Sequence, residues 1–254
     1  NVSGGNYENL VGNPAQVSTS VTDSQDTTTV SLSATPSVAE GGSIIYTASL
    51  TNPAGTPVTV TLSNGQTITI AANQASGSVT VAAPGDDPYI DAGAISARIT
   101  GASGGNFENP ATNGATVVTQ VTDTVDTSTV SLTATPSVAE GGSIIYTASV
   151  TAPVTGSPLV VTLANGQTIT IAEGQSSGTV STPVSNDTYQ GHAPVTNSIS
   201  HVSGGNYENL VTNPAPVTTG VTDVQDTTTV TLTATPSAVE GGSIVYTASV
   251  GTPV

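Results

Sequence analysis

One phrase returns at a fixed distance along this chain and decides most of what it can fold into. Thr35-Pro36-Ser37-Val38-Ala39-Glu40-Gly41-Gly42-Ser43 recurs as Thr135 to Ser143, and in near-identical form as Thr235 to Ser243. Ser3-Gly4-Gly5-Asn6-Tyr7-Glu8-Asn9 recurs as Ser103 to Asn109, with Phe107 in the aromatic position, and as Ser203 to Asn209. Val21-Thr22-Asp23 with Asp26 keeps the same 100-residue period at Val121-Thr122-Asp123 with Asp126 and at Val221-Thr222-Asp223 with Asp226. A period of that length is a whole domain, since the rungs of a solenoid are far shorter. The phase predicts two complete copies, 27–126 and 127–226. Residues 1–26 read as the last strand of a preceding copy, and 227–254 as the first strands of a following one. The chain therefore reads as an internal piece of a longer array.

What each copy folds into follows from its residue types. Thr, Ser, Val and Gly dominate, there is no Trp, Met or Cys, and only one Phe. β-Branched residues favour strands, while Gly, Asn, Asp and Pro mark turns. Long runs with a 3.6-residue apolar period are absent, so the expected class is all-β. In the first copy, strand-like runs fall at Thr29–Thr35, Ser43–Leu50, Val58–Ser63, Gln66–Ala71, Gly77–Ala82, Ala94–Thr100 and Ala115–Thr122. Seven short strands separated by turn signals predict an immunoglobulin-like sandwich, repeated end to end. Asn64-Gly65 and Asn165-Gly166 predict two-residue type I′ hairpin turns.

The charge balance is extreme. Seventeen acids face a single base, Arg98, for a formal net charge of −16. Phosphate backbones and anionic membrane surfaces need a basic partner, so nucleic acid and lipid headgroups are excluded. No apolar run is long enough to span a bilayer. The lack of Cys excludes disulfides and argues against a eukaryotic secreted domain, while a bacterial surface protein is compatible.

The acids are placed as unevenly as they are counted. If consecutive strands run alternately up and down, Glu40, Asp86, Asp87, Asp91, Asp123 and Asp126 gather at one tip of the first sandwich. Glu140, Asn186, Asp187, Asp223 and Asp226 gather at the equivalent tip of the second, and Asp23 and Asp26 belong to the preceding one. Glu8, Glu108, Glu173 and Glu208 fall in loops at the opposite ends. Like charges at one tip repel unless neutralised, and this chain has almost no cationic side chain to do it. A hard divalent cation can, because Ca²⁺ takes six to eight oxygen ligands, mostly carboxylate and carbonyl. The expected cofactor is Ca²⁺, tying the exit of one repeat to the start of the next. Gly191 stands where the first copy has Asp91, so the second site is expected to be weaker. The alternative is that these are loop acids that serve solubility alone.

These residues carry a resemblance. Val38-Ala39-Glu40-Gly41, the loop Asp86-Asp87-Pro88-Tyr89-Ile90-Asp91 and the Asp pair after the last strand resemble Calx-beta domains. That resemblance implies Ca²⁺ binding at the domain tip by Glu40, Asp86, Asp87, Asp91, Asp123 and Asp126. The period and the phrases around Thr35–Ser43 and Val221–Thr229 resemble, more closely, the extender repeats of giant calcium-dependent biofilm adhesins of Gram-negative bacteria, RTX adhesins of the large-adhesion-protein type. It implies type I secretion, a place on the bacterial cell surface, and a rod that holds adhesive domains away from it. Its expected partners are neighbouring repeats, with lateral self-association through the Thr- and Val-rich strand faces as a further contact.

Rival functions find less support. A hydrolase needs a nucleophile, a base and an orienting group. His192 and His201 each occur in one copy only, so neither belongs to a repeated site, and the chain reads as non-enzymatic. A carbohydrate-binding or cell-cell adhesion module acting through its loops would need exposed aromatics. Tyr46, Tyr146 and Tyr246 lie in a regular strand pattern and are expected in the core. Tyr7, Phe107 and Tyr207 are expected to pack on a neighbouring domain, and Tyr89 and Tyr189 to shield the acidic tip.

Overall fold

The computed structural model describes residues 1–252, and its regular elements are all β-strands. The first copy contains β1 (Thr27–Ala34), β2 (Ser37–Ala39), β3 (Ser43–Leu50), β4 (Val58–Leu62), β5 (Thr67–Ile70), β6 (Ser76–Ala82), β7 (Ala94–Ala97), β8 (Ile99–Gly104), β9 (Asn109–Thr112) and β10 (Val117–Thr122). The second repeats them as β11 (Thr127–Ala134), β12 (Ser137–Ala139), β13 (Ser143–Val150), β14 (Leu159–Leu163), β15 (Thr168–Ile171), β16 (Ser177–Pro183), β17 (Val195–Asn197), β18 (Ile199–Ser203), β19 (Asn209–Thr212) and β20 (Val217–Thr222). A last hairpin joins β21 (Val230–Ala234) to β22 (Tyr246–Val250).

Each copy is an immunoglobulin-like sandwich. One layer is the four-stranded sheet β6-β3-β1-β9, matched by β16-β13-β11-β19. The other layer consists of two three-stranded sheets, β5-β4-β8 and β2-β10-β7, matched by β15-β14-β18 and β12-β20-β17. Alternation fixes which face is buried. Along β13, Ile144, Tyr146, Ala148 and Val150 point inward; along β14 and β15, Leu159, Val161, Leu163, Ile169 and Ile171 meet them in one cluster. None of the seventeen acids falls within a strand.

Ten strands replace the seven expected. Pro36 cannot donate to a ladder and ends β1, and the chain re-forms as the short β2 in the other layer. The single strand expected over Ala94–Thr100 is two: β7 pairs with β10, the chain breaks at Arg98, and β8 pairs with β4. β9 was missed because it is an edge strand containing Pro110, paired in parallel with β1 from Thr27↔Asn109 to Val30↔Thr112. The expected type I′ turns are also corrected. Only Gly65 (φ 81°) and Gly166 (φ 84°) are left-handed, and Gly65 donates to the Leu62 carbonyl while Leu62 donates to that of Gln66. This is a three-residue loop closed by a left-handed glycine.

Residues 1–26 form no strand, although 17–22 repeat the pattern of β10. A strand needs a ladder, and the partners that β10 finds in β2 and β7 have no counterparts for this segment among the described residues. Tyr246 is exposed where Tyr46 and Tyr146 are core, because β21 and β22 form a two-stranded sheet with no second layer over it.

The chain divides into two compact units. The first comprises Asn1–Val38, Ser43–Ala82 and Ala94–Thr119; the second takes Ala39–Gly42, Ala83–Gly93 and the chain from Gln120 onward. The acid-bearing loops after β2 and β6 thus belong to the second unit.

Candidate cation-binding site

The site in the second unit is built from turns. Glu40 follows β2, and its amide donates to the Thr122 carbonyl at 3.1 Å while the Gly41 amide donates to that of Pro84 at 2.7 Å. These bonds hold the Glu40 side chain inward, where it is 7% exposed. Asp123 follows β10 directly and is half-buried. Glu208 precedes β19, and its Oε2 accepts the Asp126 amide at 2.6 Å. Carboxylate oxygens of Glu40, Asp123 and Glu208 lie within 4.8 Å of one another.

One oxygen of each is buried and without a partner: Glu40 Oε2, Asp123 Oδ1 and Glu208 Oε1. A buried carboxylate oxygen without a donor or cation is costly. The response is visible at Glu40, whose carboxyl is pushed up to about 7, first by burial, then by its hydrogen bond with Asp91 and by the charges of Asp91, Asp123 and Asp87.

The remaining acids of the first copy surround the trio in other roles. Asp87 Oδ1 accepts the Tyr89 amide at 2.9 Å and shapes the loop. Asp86 accepts a bond from the Thr124 hydroxyl. Asp126 contributes its amide to Glu208. In the second copy Glu140 is 5% exposed, with Oε1 buried and unpartnered. Its neighbours are turned to other bonds: Asn186 Nδ2 donates to Asp226 Oδ2 at 3.1 Å, Asp223 Oδ2 accepts the Gly191 amide at 3.2 Å, and Asp187 Oδ1 accepts the Tyr189 amide at 2.8 Å. Asp23 and Asp26 lie in the exposed segment 1–26, where the Asp26 amide donates to Glu108 Oε2 at 2.8 Å.

Glu208 is the residue that sequence reasoning left out of the ligand set. Its signal was available: glutamate recurs at 8, 108 and 208 as strictly as at 40, 140 and 240. Beside it, Tyr89 packs on Tyr207 with ring centroids 5.7 Å apart and the planes tilted by 37°. His192 is half-buried and His201 exposed.

Two copies of one all-β sandwich, with an acidic cluster built from residues of both, define a tandem-repeat β-sandwich protein. Residues 26–124 and 126–224 each match the LapA domain family, and the chain belongs to that adhesin family. No curated protein matches it. Among solved structures, the fibronectin(III)-like modules of Clostridium thermocellum CbhA are similar over 76% of this chain and 94% of theirs, at 16% identity and a TM-score of 0.26.

Proposed function

We propose that this chain is an extender segment of a bacterial cell-surface adhesin and that Ca²⁺, held by Glu40, Asp123 and Glu208, stiffens it. The observation that carries the reading is the set of three unpartnered carboxylate oxygens within 4.8 Å, in a chain with one Arg and no Lys. The donors fit the ion: all are oxygen, as a hard cation requires, and Asp91 and Asp87 lie close enough to bias Glu40. When bound, Ca²⁺ supplies the positive charge that allows all three carboxylates to ionise together. Because Glu40 and Asp123 come from one sequence repeat and Glu208 from the next, the ion links residues of successive repeats. In a calcium-poor interior the same acids repel and disfavour folding; outside the cell, binding to the folded state alone promotes it. Export by type I secretion and projection of terminal adhesive domains accord with this reading.

Small-angle X-ray scattering of the chain tests it, first in millimolar-range Ca²⁺ and then in chelator. A long, fixed maximum dimension in Ca²⁺ that gives way to a flexible ensemble in chelator is expected. Superimposable profiles would reduce the acids to solubility devices and remove calcium from the account.

A further inference from the structure

Within the second unit, the loop after β6 is seated on the segment before β19 as a short strand. Tyr89 bridges antiparallel to Tyr207. The Ile90 amide donates to the Asn206 carbonyl at 3.2 Å, Asn206 Nδ2 donates to the Ile90 carbonyl at 2.9 Å, and the Glu208 amide donates to the Pro88 carbonyl at 3.2 Å. The Tyr89 hydroxyl reaches the Pro153 carbonyl at 2.6 Å. The acceptor is therefore a built socket, with an aromatic floor, backbone groups on one side and a proline carbonyl at its end.

The first unit carries the corresponding segment Gly104-Gly105-Asn106-Phe107-Glu108, which differs in that Asn106 is left-handed (φ 57°) where Asn206 is not. Gly104 and Gly204 have φ of 91° and 88°, and a Cβ on either would lie 2.2 Å from the carbonyl oxygen of Pro57 or Pro158. Both aromatic rings fold back over the second glycine, so that a Cβ there would collide with Phe107 or Tyr207. Asp26 caps Glu108 as Asp126 caps Glu208, at 2.8 and 2.6 Å. Phe107 lacks a hydroxyl, but that of Tyr207 donates to the Ala152 carbonyl and plays no part in holding Tyr89. A cavity of about 80 Å³ lies beside Phe107, bounded by Val58, Gly104 and Pro110.

We infer that the Phe107 socket binds the tip loop of another repeat of this family, an extended Pro-Tyr-Ile segment flanked by aspartates, with the tyrosine ring on Phe107. The occupant is set by the twin socket, which holds such a loop already. The inference does not rest on a bound ion and is separable from the calcium reading, because it is tested in chelator.

The probe is an acetylated, amidated peptide of residues 84–93, titrated into the ¹⁵N-labelled full chain. Saturable amide shifts are expected at residues 104–109 and not at 204–209, whose socket is filled. They should vanish with the peptide carrying Tyr89→Ala and with the Phe107→Ala chain, and persist in Phe107→Tyr. Since the chain has no Cys, a trap gives a second reading. The thiol of an Asn106→Cys chain should displace pyridine-2-thione from an Ile90→Cys peptide activated as its 2-thiopyridyl disulfide several-fold faster than that of an Asn64→Cys chain does, because seating raises the local concentration. The absence of saturable shifts at 104–109 together with equal trapping rates would overturn the proposal. Shifts that survive Tyr89→Ala in the peptide would overturn it as well.

Discussion

The backbone amide of Asp126 donates to the carboxylate of Glu208 at 2.6 Å, which places an acid of the second repeat over the exit of the first. The same bond joins Asp26 to Glu108 one period earlier, so it belongs to the repeat and not to one loop. It leaves Glu208 Oε1 turned toward Glu40 and Asp123 without a partner. Glu208→Gln separates the two jobs of this side chain, because the amide oxygen can still accept from Asp126. In chelator its Tm should match or slightly exceed that of the wild-type chain, since one of three repelling charges is gone. In saturating Ca²⁺ most of the wild-type gain in Tm should be missing. Differential scanning calorimetry in both conditions reads the result, and an undiminished calcium gain would remove Glu208 from the site.

Glu40 sets the sign of the pH dependence without cation. Its carboxyl lies at about 7 in the folded chain against 4.5 ordinarily, with burial the chief cause. The folded state therefore holds the proton more tightly than the unfolded state. Its contribution is fully present below about pH 4.5 and is lost as the pH rises through about 7. In chelator, Tm should fall between pH 5 and pH 8, and Glu40→Gln should flatten that fall. With Ca²⁺ the slope should reverse, because the ion binds the ionised form. Melting curves across this range, with and without chelator, check both signs.

Much of the fold was legible because alternation is local. Ile44, Tyr46, Ala48 and Leu50 alternate with the outward-facing Ile45, Thr47 and Ser49, and the expected strand Ser43–Leu50 coincides with β3. The misses came where pairing, not pattern, decides. Nothing in Ala94–Thr100 announces that the chain changes partners at Arg98, from β10 to β4. The parallel seat of β9 on β1 joins segments far apart in sequence. The site was legible by the same rule. Glu40 and Asp123 stood out as turn acids at a common end, whereas Glu208 joins them only through its amide-held position before β19.

A buried hydroxyl in each sandwich gives a stability test independent of charge. Tyr46 and Tyr146 are each 1% exposed, and neither hydroxyl has a hydrogen-bond partner. Burial also pushes the Tyr46 phenol above its ordinary range. A desolvated hydroxyl without a partner weakens the fold, so Tyr46→Phe and Tyr146→Phe should be neutral or stabilising by up to about 1 kcal/mol. Tyr146→Ala, which empties the core site, should cost about 3–5 kcal/mol. Urea midpoints at unchanged m-value would report both effects.

Three glycines should respond differently to one added methyl group. In β16 a Cβ on Gly178 would lie 2.5 Å from the Thr170 carbonyl oxygen, where β15 approaches from the other layer. Gly178→Ala must push these strands apart, at a cost of about 1–3 kcal/mol. At Gly166 there is open space but φ is 84°, so Gly166→Ala should lose about 1–2 kcal/mol to backbone strain alone. Gly101 in β8 has open space and no left-handed φ, and Gly101→Ala should be neutral or mildly stabilising through the unfolded chain. Chemical denaturation of the three variants ranks them. A Gly178→Ala protein as stable as Gly101→Ala would mean that the layers do not approach as closely at β15 and β16 as the backbone positions require.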